Sequence, residues 1–333
     1  MAAPLALTMG EPGGVGPEIT VKAWAALRDA PLAFFALADP SLFAALDCEI
    51  EIISAPREAT SAFRDAIPVL PLKSSVRATP GLADSQNAAA VIESIKTAVS
   101  YCLDGAAAGV VTNPIQKSSL IKSGFEFPGH TEYLADLTGD RAMPANRTRG
   151  PVMMIAAPQL KTVPVTIHQS VTDASASLNA ALVEKTCTIV AEALTHDFGF
   201  KEPRLAVSGF NPHAGEDGAL GKEDKDIIAP AIQALKNRGF HVAGPLPADT
   251  MFHQEARARY DAAICMLHDQ ALIPAKTLAF HDAVNVTLGL PIVRTSPDHG
   301  TALDIAGKGT ARADSLIAAI RLGALMASKR TAL

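Results

Sequence analysis

Along the chain, short apolar runs alternate with segments whose apolar residues recur every three or four positions. The runs at 33–39 (AFFALAD), 109–115 (GVVTNPI), 152–157 (VMMIAA), 162–168 (TVPVTIH), 204–210 (RLAVSGF) and 262–268 (AAICMLH) predict strands buried on both faces. Over 86–103, Val91, Ile92, Ile95, Val99 and Cys102 make one helical stripe, and Gly105 follows as a stop. Over 223–238 the stripe is Ile227, Ile228, Ala231, Ile232 and Leu235, closed by Gly239. Further helices are expected over 174–194 and 314–327. Strand alternating with helix predicts an α/β fold with a largely parallel sheet. A chain of 333 residues exceeds the usual single domain, so two are expected. The Pro-, Gly- and polar-rich stretch 139–151 is the linker candidate, and a cleft between the domains is the expected place for a site.

Composition narrows the function classes. Hydrophobic residues make up 48% and charged residues 19%, enough for a large core and unlike a disordered chain. A net charge of −5 argues against general affinity for nucleic acid or anionic membranes, but not against a local basic pocket for a small anion. Cys48, Cys102, Cys187 and Cys265 form no C-x-x-C pair, so reduced thiols are expected. MAAPLALTMGEP has no signal-peptide pattern, and no run of about 18 apolar residues occurs, which points to a cytoplasmic protein.

Three groups of residues carry candidate chemistry. LTMGEPGGVGPEI, from Leu7 to Ile19, reads as strand, glycine loop and helix. Pro17 suits the first helical turn and Glu18 the positive end of the helix dipole. It matches neither the G-x-G-x-x-G fingerprint nor a P-loop, since no Lys follows Gly16. His168, His213 and His268 each close an apolar strand or lie just beyond one. Ligands gather at the carboxyl ends of parallel strands, so the three imidazoles are read either as ordinary polar residues or as ligands of one divalent metal, with Asp269 orienting His268. In FPGHTEY (127–133), His130 and Thr131 are adjacent donors, or Thr131 is a helix cap. Lys276, Asn285 and Arg294 interrupt an apolar stretch, where the two cations either snorkel to the surface or bind an anion.

GEPGGVGPEI resembles the N-terminal GDGIGPE motif of the β-decarboxylating dehydrogenases of isopropylmalate and isocitrate. DHGTALDIAGKG (298–309) resembles the HGSAPDIAGKG loop with which those enzymes hold the adenosine of NAD. Their magnesium is bound by aspartates, whereas this chain offers histidines. GHTE, NPHAGE, GPLPADT, HDQ, VNVTLGLP, RTSPDHGTA and DIAGKG follow the order of the 4-hydroxythreonine-4-phosphate dehydrogenase family of pyridoxal phosphate biosynthesis, and the resemblance runs from Leu7 to Ala327.

The resemblance implies a two-domain isocitrate/isopropylmalate dehydrogenase-like fold, with 1–140 plus 286–333 binding NAD and 141–285 binding metal and dimerising. It implies His168, His213 and His268 as ligands of one divalent metal (zinc, magnesium or cobalt) shared between the subunits of a homodimer. His130, Thr131, Lys276, Asn285 and Arg294 would contact a small phosphorylated amino acid. Gly300, Thr301, Ala302, Asp304 and Ile305 would contact NAD. Lys276 is the candidate proton acceptor, with Asp249 and Asp269 as alternatives. The implied reaction is oxidation of 4-(phosphooxy)-L-threonine to 2-amino-3-oxo-4-(phosphooxy)butanoate, which decarboxylates to 3-amino-2-oxopropyl phosphate. Paralogous dehydrogenases of four-carbon sugar-acid phosphates or aromatic cis-diol carboxylates are the rival readings, and a metal-dependent hydrolase a remote one. Ala271 departs from the frequent HDQG, and a methyl there is expected to be tolerated.

Overall fold

The structure, a computed structural model, describes residues 3–331. Two compact units divide the chain: one runs up to Ala142 and resumes at Leu290, and the other is Met143–Gly289.

The first unit opens with β1 (Leu5–Thr8), β2 (Phe34–Ala38), β3 (Ile50–Ile52), β4 (Ile67–Pro71) and β5 (Val110–Thr112), paired in the order β3-β4-β2-β1-β5 with every pair parallel. β1, β2 and β5 are buried at every position, as their almost wholly apolar sequences predict. β3 is a half-exposed edge strand, and its short, mixed sequence gave no strand signal. Behind the sheet, Phe34 meets Phe63 edge to face at 4.8 Å, and the Trp24 indole donates to the Phe63 carbonyl at 2.7 Å.

The second unit holds β6 (Val152–Ala157), β7 (Leu160–Pro164), β8 (Arg204–Ser208), β9 (His241–Leu246), β10 (Ala262–Cys265) and β11 (Val284–Leu288) in the order β11-β6-β7-β10-β8-β9. β6 runs antiparallel to both β11 and β7, because only a two-residue turn separates β6 from β7 and so short a link cannot make a parallel crossover. The remaining pairs are parallel. The chain then returns to the first unit as β12 (Arg294–Pro297), parallel to β5. The fold is thus α/β and parallel-rich.

Two local expectations change. The stretch 174–194 is two helices, Val171–Ser177 and Ala180–His196, because Leu178 and Asn179 are extended and the Asn179 side chain caps Leu182 N at 2.9 Å. The stripe over 223–238 begins as a π turn, Asp224–Ile228, before the α-helix Ala229–Asn237. The 139–151 stretch does hold the boundary between the two units, at Ala142 and Met143, and its later residues are fixed within the second unit. Arg147 forms a buried ion pair with Asp197 at 2.8 Å, and Glu192 accepts from Thr148 N at 2.7 Å.

Candidate active site

The glycine loop of the first unit is a packing platform. Gly13 O accepts from Gly81 N at 2.8 Å, and a Cβ on Gly13 would overlap the Leu82 carbonyl. Val15 N donates to Thr301 O at 3.0 Å, and a Cβ on Gly14 would lie 2.9 Å from that oxygen. Gly13 therefore permits backbone-to-backbone approach to 79–82, and Gly14 to the 298–309 loop. Helix Gly16–Leu27 fastens the far side of that loop. Lys22 Nζ donates to Gly309 O (2.9 Å), Ala311 O (2.6 Å) and Glu18 Oε1 (2.9 Å), while Glu18 accepts from Ala311 N. Glu18 thus serves as a tether as well as a charge at a helix start. In the loop, Ala302 is left-handed at φ 45°, and a Cβ at Gly300 would meet open space. Asp304 is exposed within the turn Leu303–Ile305, whose N-cap position is Ala302 and carries no side-chain cap. An exposed, uncapping carboxylate beside an anchored glycine turn fits the ribose of a dinucleotide.

His130, Thr131 and Arg294 come together in the same unit. Gly129 is the N-cap of helix His130–Leu137, so His130 and Thr131 occupy its first two positions and Thr131 is not the cap. Arg294 is buried, at 3% exposure, and donates to Thr112 Oγ1 at 2.7 Å. Burial draws its pKa down to about 10, Glu132 opposing, so the guanidinium remains charged at neutral pH. His130 Nε2 is buried without a hydrogen-bond partner. Burial first, then the Arg294 and Lys117 cations, holds the imidazole well below its ordinary range, hence neutral. A buried cation, an orphaned imidazole nitrogen and a helix N-terminus make a socket for an anion.

The His130 shift predicts an acid sensitivity. On acidification the unfolded chain binds a proton at the ordinary value of about 6.5, before the folded protein does. This contribution to stability is complete above that pH and is lost as pH falls below it toward the depressed folded value. Urea midpoints at pH 7.5 and 5.5 should show a larger loss for the wild type than for His130→Gln; equal losses would remove the shift.

In the second unit the strands stop at Pro164, Ser208 and Cys265, and each histidine lies beyond its strand. His168 is left-handed at φ 52°, just after Thr166, whose hydroxyl donates to Met266 O at 2.7 Å. His268 opens helix His268–Ala279, and its Nδ1 pairs with Asp269 Oδ1 at 2.8 Å, so Nε2 is the ring nitrogen that Asp269 does not engage. The His168 and His268 rings lie 5.8 Å apart.

His213 begins five consecutive left-handed residues, His213 to Asp217, a conformation rare outside glycine. Buried Asp224 holds this loop by accepting from Phe210 N (2.7 Å), Asn211 N (3.1 Å) and Asn211 Nδ2 (2.9 Å). The exposed His213 imidazole sits 3.7 Å from Glu216. Among the described residues no group of three histidine, cysteine or acidic side chains is placed to hold one ion. One chain therefore brings His168 and His268 together but leaves His213 outside a three-ligand set.

Lys276 lies two turns beyond Asp269 on its helix and is half-buried. Asp249 and Asp269 both line an open pocket of about 520 Å³, floored by Phe252, Ile273, Pro274 and Leu278. Asn285 sits in β11 with Oδ1 buried and unpartnered. Ala271 is wholly buried among Leu160, Ala206, Tyr260 and Cys265, so its methyl is part of the core. A larger cavity of about 1050 Å³ lies in the first unit at the amino ends of its strands, near Leu5, Ala33 and Val293, away from all these residues.

Sequence reasoning missed four contributors. Gln270 fastens the His268 helix to the His213 loop, accepting from Leu267 N and donating to Gly209 O at 3.0 Å. Asp224 was hidden in a polar run; Thr112 closes β5 and Lys117 follows shortly after it, so only the position of TNPIQK at the end of a buried strand could have marked these two.

A family model described as pyridoxal phosphate biosynthetic protein PdxA matches residues 32–323. The chain is 52% identical to a 4-hydroxythreonine-4-phosphate dehydrogenase of Bradyrhizobium diazoefficiens, with 99% of each covered. It superposes on the crystal structure of a 4-hydroxythreonine-4-phosphate dehydrogenase from Klebsiella pneumoniae with a TM-score of 0.86 at 37% identity, 98% of each chain being covered. A terephthalate 1,2-cis-dihydrodiol dehydrogenase from Burkholderia xenovorans is more distant, with a TM-score of 0.65, 27% identity and 98% of each chain covered. Among the described residues no helix is long and apolar enough to cross a membrane.

Proposed function

The chain belongs to the PdxA family of pyridoxal phosphate biosynthetic proteins, and from that premise we propose how its own residues divide the work. It is an oxidoreductase of the 4-hydroxythreonine-4-phosphate dehydrogenase type: 4-(phosphooxy)-L-threonine loses a hydride to a nicotinamide dinucleotide and a proton to the protein. The resulting β-keto acid loses carbon dioxide to give 3-amino-2-oxopropyl phosphate. The observation that carries the residue assignment is the buried Arg294 beside the orphaned His130 nitrogen. The chain is 52% identical to a 4-hydroxythreonine-4-phosphate dehydrogenase but only 27% to the aromatic cis-dihydrodiol dehydrogenase, which weighs against the aromatic diol.

In this reading Arg294, His130 and Thr131 seat the phosphate, and Lys276 and Asn285 contact the rest of the substrate. The 298–309 loop seats the adenosine of NAD, through Gly300, Thr301, Ala302, Asp304 and Ile305. His168, His213 and His268 hold one divalent cation. The resemblance to the family is what takes these ligands from two subunits of a homodimer, and the reading adopts that arrangement. Such a cation, when bound, makes the substrate hydroxyl more acidic and stabilises negative charge on the product side of the reaction. Lys276 Nζ accepts the hydroxyl proton, with Asp249 and Asp269 as the alternatives, and Asp269 also fixes the His268 ring through Nδ1. A progress curve following both products tests the reading: NADH and carbon dioxide should appear in equal amounts, and a chelator should stop both. Steady turnover in metal-free buffer would refute the histidine assignment.

Asp304 sets NAD against NADP. A carboxylate accepts hydrogen bonds from ribose hydroxyls but repels a 2′-phosphate. Like charges about 4 Å apart cost roughly 4 kcal/mol per unit-charge product at an effective dielectric near 20, so even a heavily screened repulsion leaves a tenfold preference. Comparing kcat/KM for both cofactors in wild type and Asp304→Lys should show the ratio moving toward NADP by tenfold or more; an unmoved ratio would assign Asp304 no part in the choice.

A further inference from the structure

We propose that Lys117 is a further recognition residue for the substrate's phosphate, supplying the second positive charge that a phosphate dianion requires. The proposal rests on the reading above in which His130, Thr131 and Arg294 seat that group. Lys117 opens helix Lys117–Lys122, which follows β5, and the last residue of β5, Thr112, is the partner of Arg294. Its side chain reaches back to the cap of helix His130–Leu137: a Cβ on Gly129 would lie 3.4 Å from Lys117 Cε and 3.5 Å from Nζ. The ammonium is near enough to act electrostatically on His130. Lys117 is exposed, and among the described residues it forms no salt bridge, although the Glu132 carboxylate approaches the same Gly129 position at 3.5 Å.

Charge arithmetic gives this placement its meaning. A phosphate monoester carries close to two negative charges near pH 7. The buried socket offers one cation, Arg294, whose charge is partly answered by Glu132, together with a neutral His130. One negative charge of the ligand would be left without a counter-ion. Lys117 is the cation at the rim placed to answer it, and a lysine suits the task because it serves phosphate as a mobile point charge while arginine supplies the fixed fork.

Because Lys117 is exposed, its substitution leaves the core undisturbed. Lys117→Met and Lys117→Arg are compared with Arg294→Ala, using the KM for 4-phosphooxy-threonine and competitive inhibition by inorganic phosphate. Lys117→Met should raise KM roughly tenfold and weaken phosphate inhibition to a similar degree, the size of one charge-assisted hydrogen bond, and Lys117→Arg should restore most of both. The KM for NAD serves as control and should not move. If Arg294→Ala weakens phosphate binding and Lys117→Met does not, Lys117 has no such role and the proposal falls alone. If neither variant weakens it, the phosphate reading of the whole socket falls with it.

Discussion

Arg294→Ala should raise the KM for the phosphorylated substrate by roughly a hundredfold or more while leaving the KM for NAD nearly unchanged. Removing one partner of a buried, hydrogen-bonded charge pair costs about 2–5 kcal/mol, and all but the lowest part of that range exceeds two decades. Arg294 meets the conditions for a large effect. It is almost wholly inaccessible, its geometry is fixed by the bond to Thr112, and burial lowers its pKa only to about 10, so it is fully charged at the pH of assay. Alanine would also leave Thr112 Oγ1 without its donor, so a modest loss of stability should accompany the kinetic one. The 298–309 loop, proposed above to seat NAD, is anchored by Lys22 and Val15, and this is why NAD should be spared. Steady-state kinetics varying each substrate in turn separates the cases. Equal weakening of both would mean that Arg294 supports the whole unit and does not read the phosphate.

His213→Ala should lower kcat by at least a hundredfold and remove most of the bound cation, with little change in the unfolding midpoint. Loss of an outer-sphere partner of a metal ligand already costs about 10–100-fold, and loss of the ligand itself should exceed that. Stability should survive because the imidazole is exposed and packs against no core. The left-handed turn that carries it is held by Asp224 and by Gly209, whose Cβ would lie 2.7 Å from Ala214 Cα. An alanine at φ 54° inherits the strain already paid by histidine. Metal analysis after dialysis, beside a denaturant melt, reads both quantities. A variant that keeps its cation and its rate would exclude His213 from the site.

The parallel core was legible because β1, β2, β5 and β10 are buried at every position and their sequences are almost wholly apolar. Antiparallel β6 was not, since burial on two faces looks the same whichever way a strand runs. The break at Leu178 and Asn179 was masked by apolar spacing that carries on across it, although Asn179 was available as a cap signal. For the candidate site, sequence marked the residues with distinctive chemistry in short strings, among them the three histidines, His130 and Arg294. It could not show which of them meet. Proximity of Lys117 to Gly129, or of Asp224 to the His213 loop, is made by the fold between segments with no shared pattern. The glycine loop was read correctly as strand, turn and helix, but its glycines serve contacts with 79–82 and Thr301 that no local spacing encodes.

The most direct measurement is absorbance at 340 nm with NAD and a divalent cation, taking 4-phosphooxy-threonine beside its unphosphorylated and deaminated analogues. A socket of buried Arg294, His130 and Thr131 predicts rapid NADH formation from the phosphorylated amino acid and a kcat/KM lower by about a hundredfold or more when the phosphate is absent. The deaminated sugar-acid phosphate should also fall below the amino acid. Equal turnover of the unphosphorylated compound, or a preference for the sugar-acid phosphate, would contradict the account.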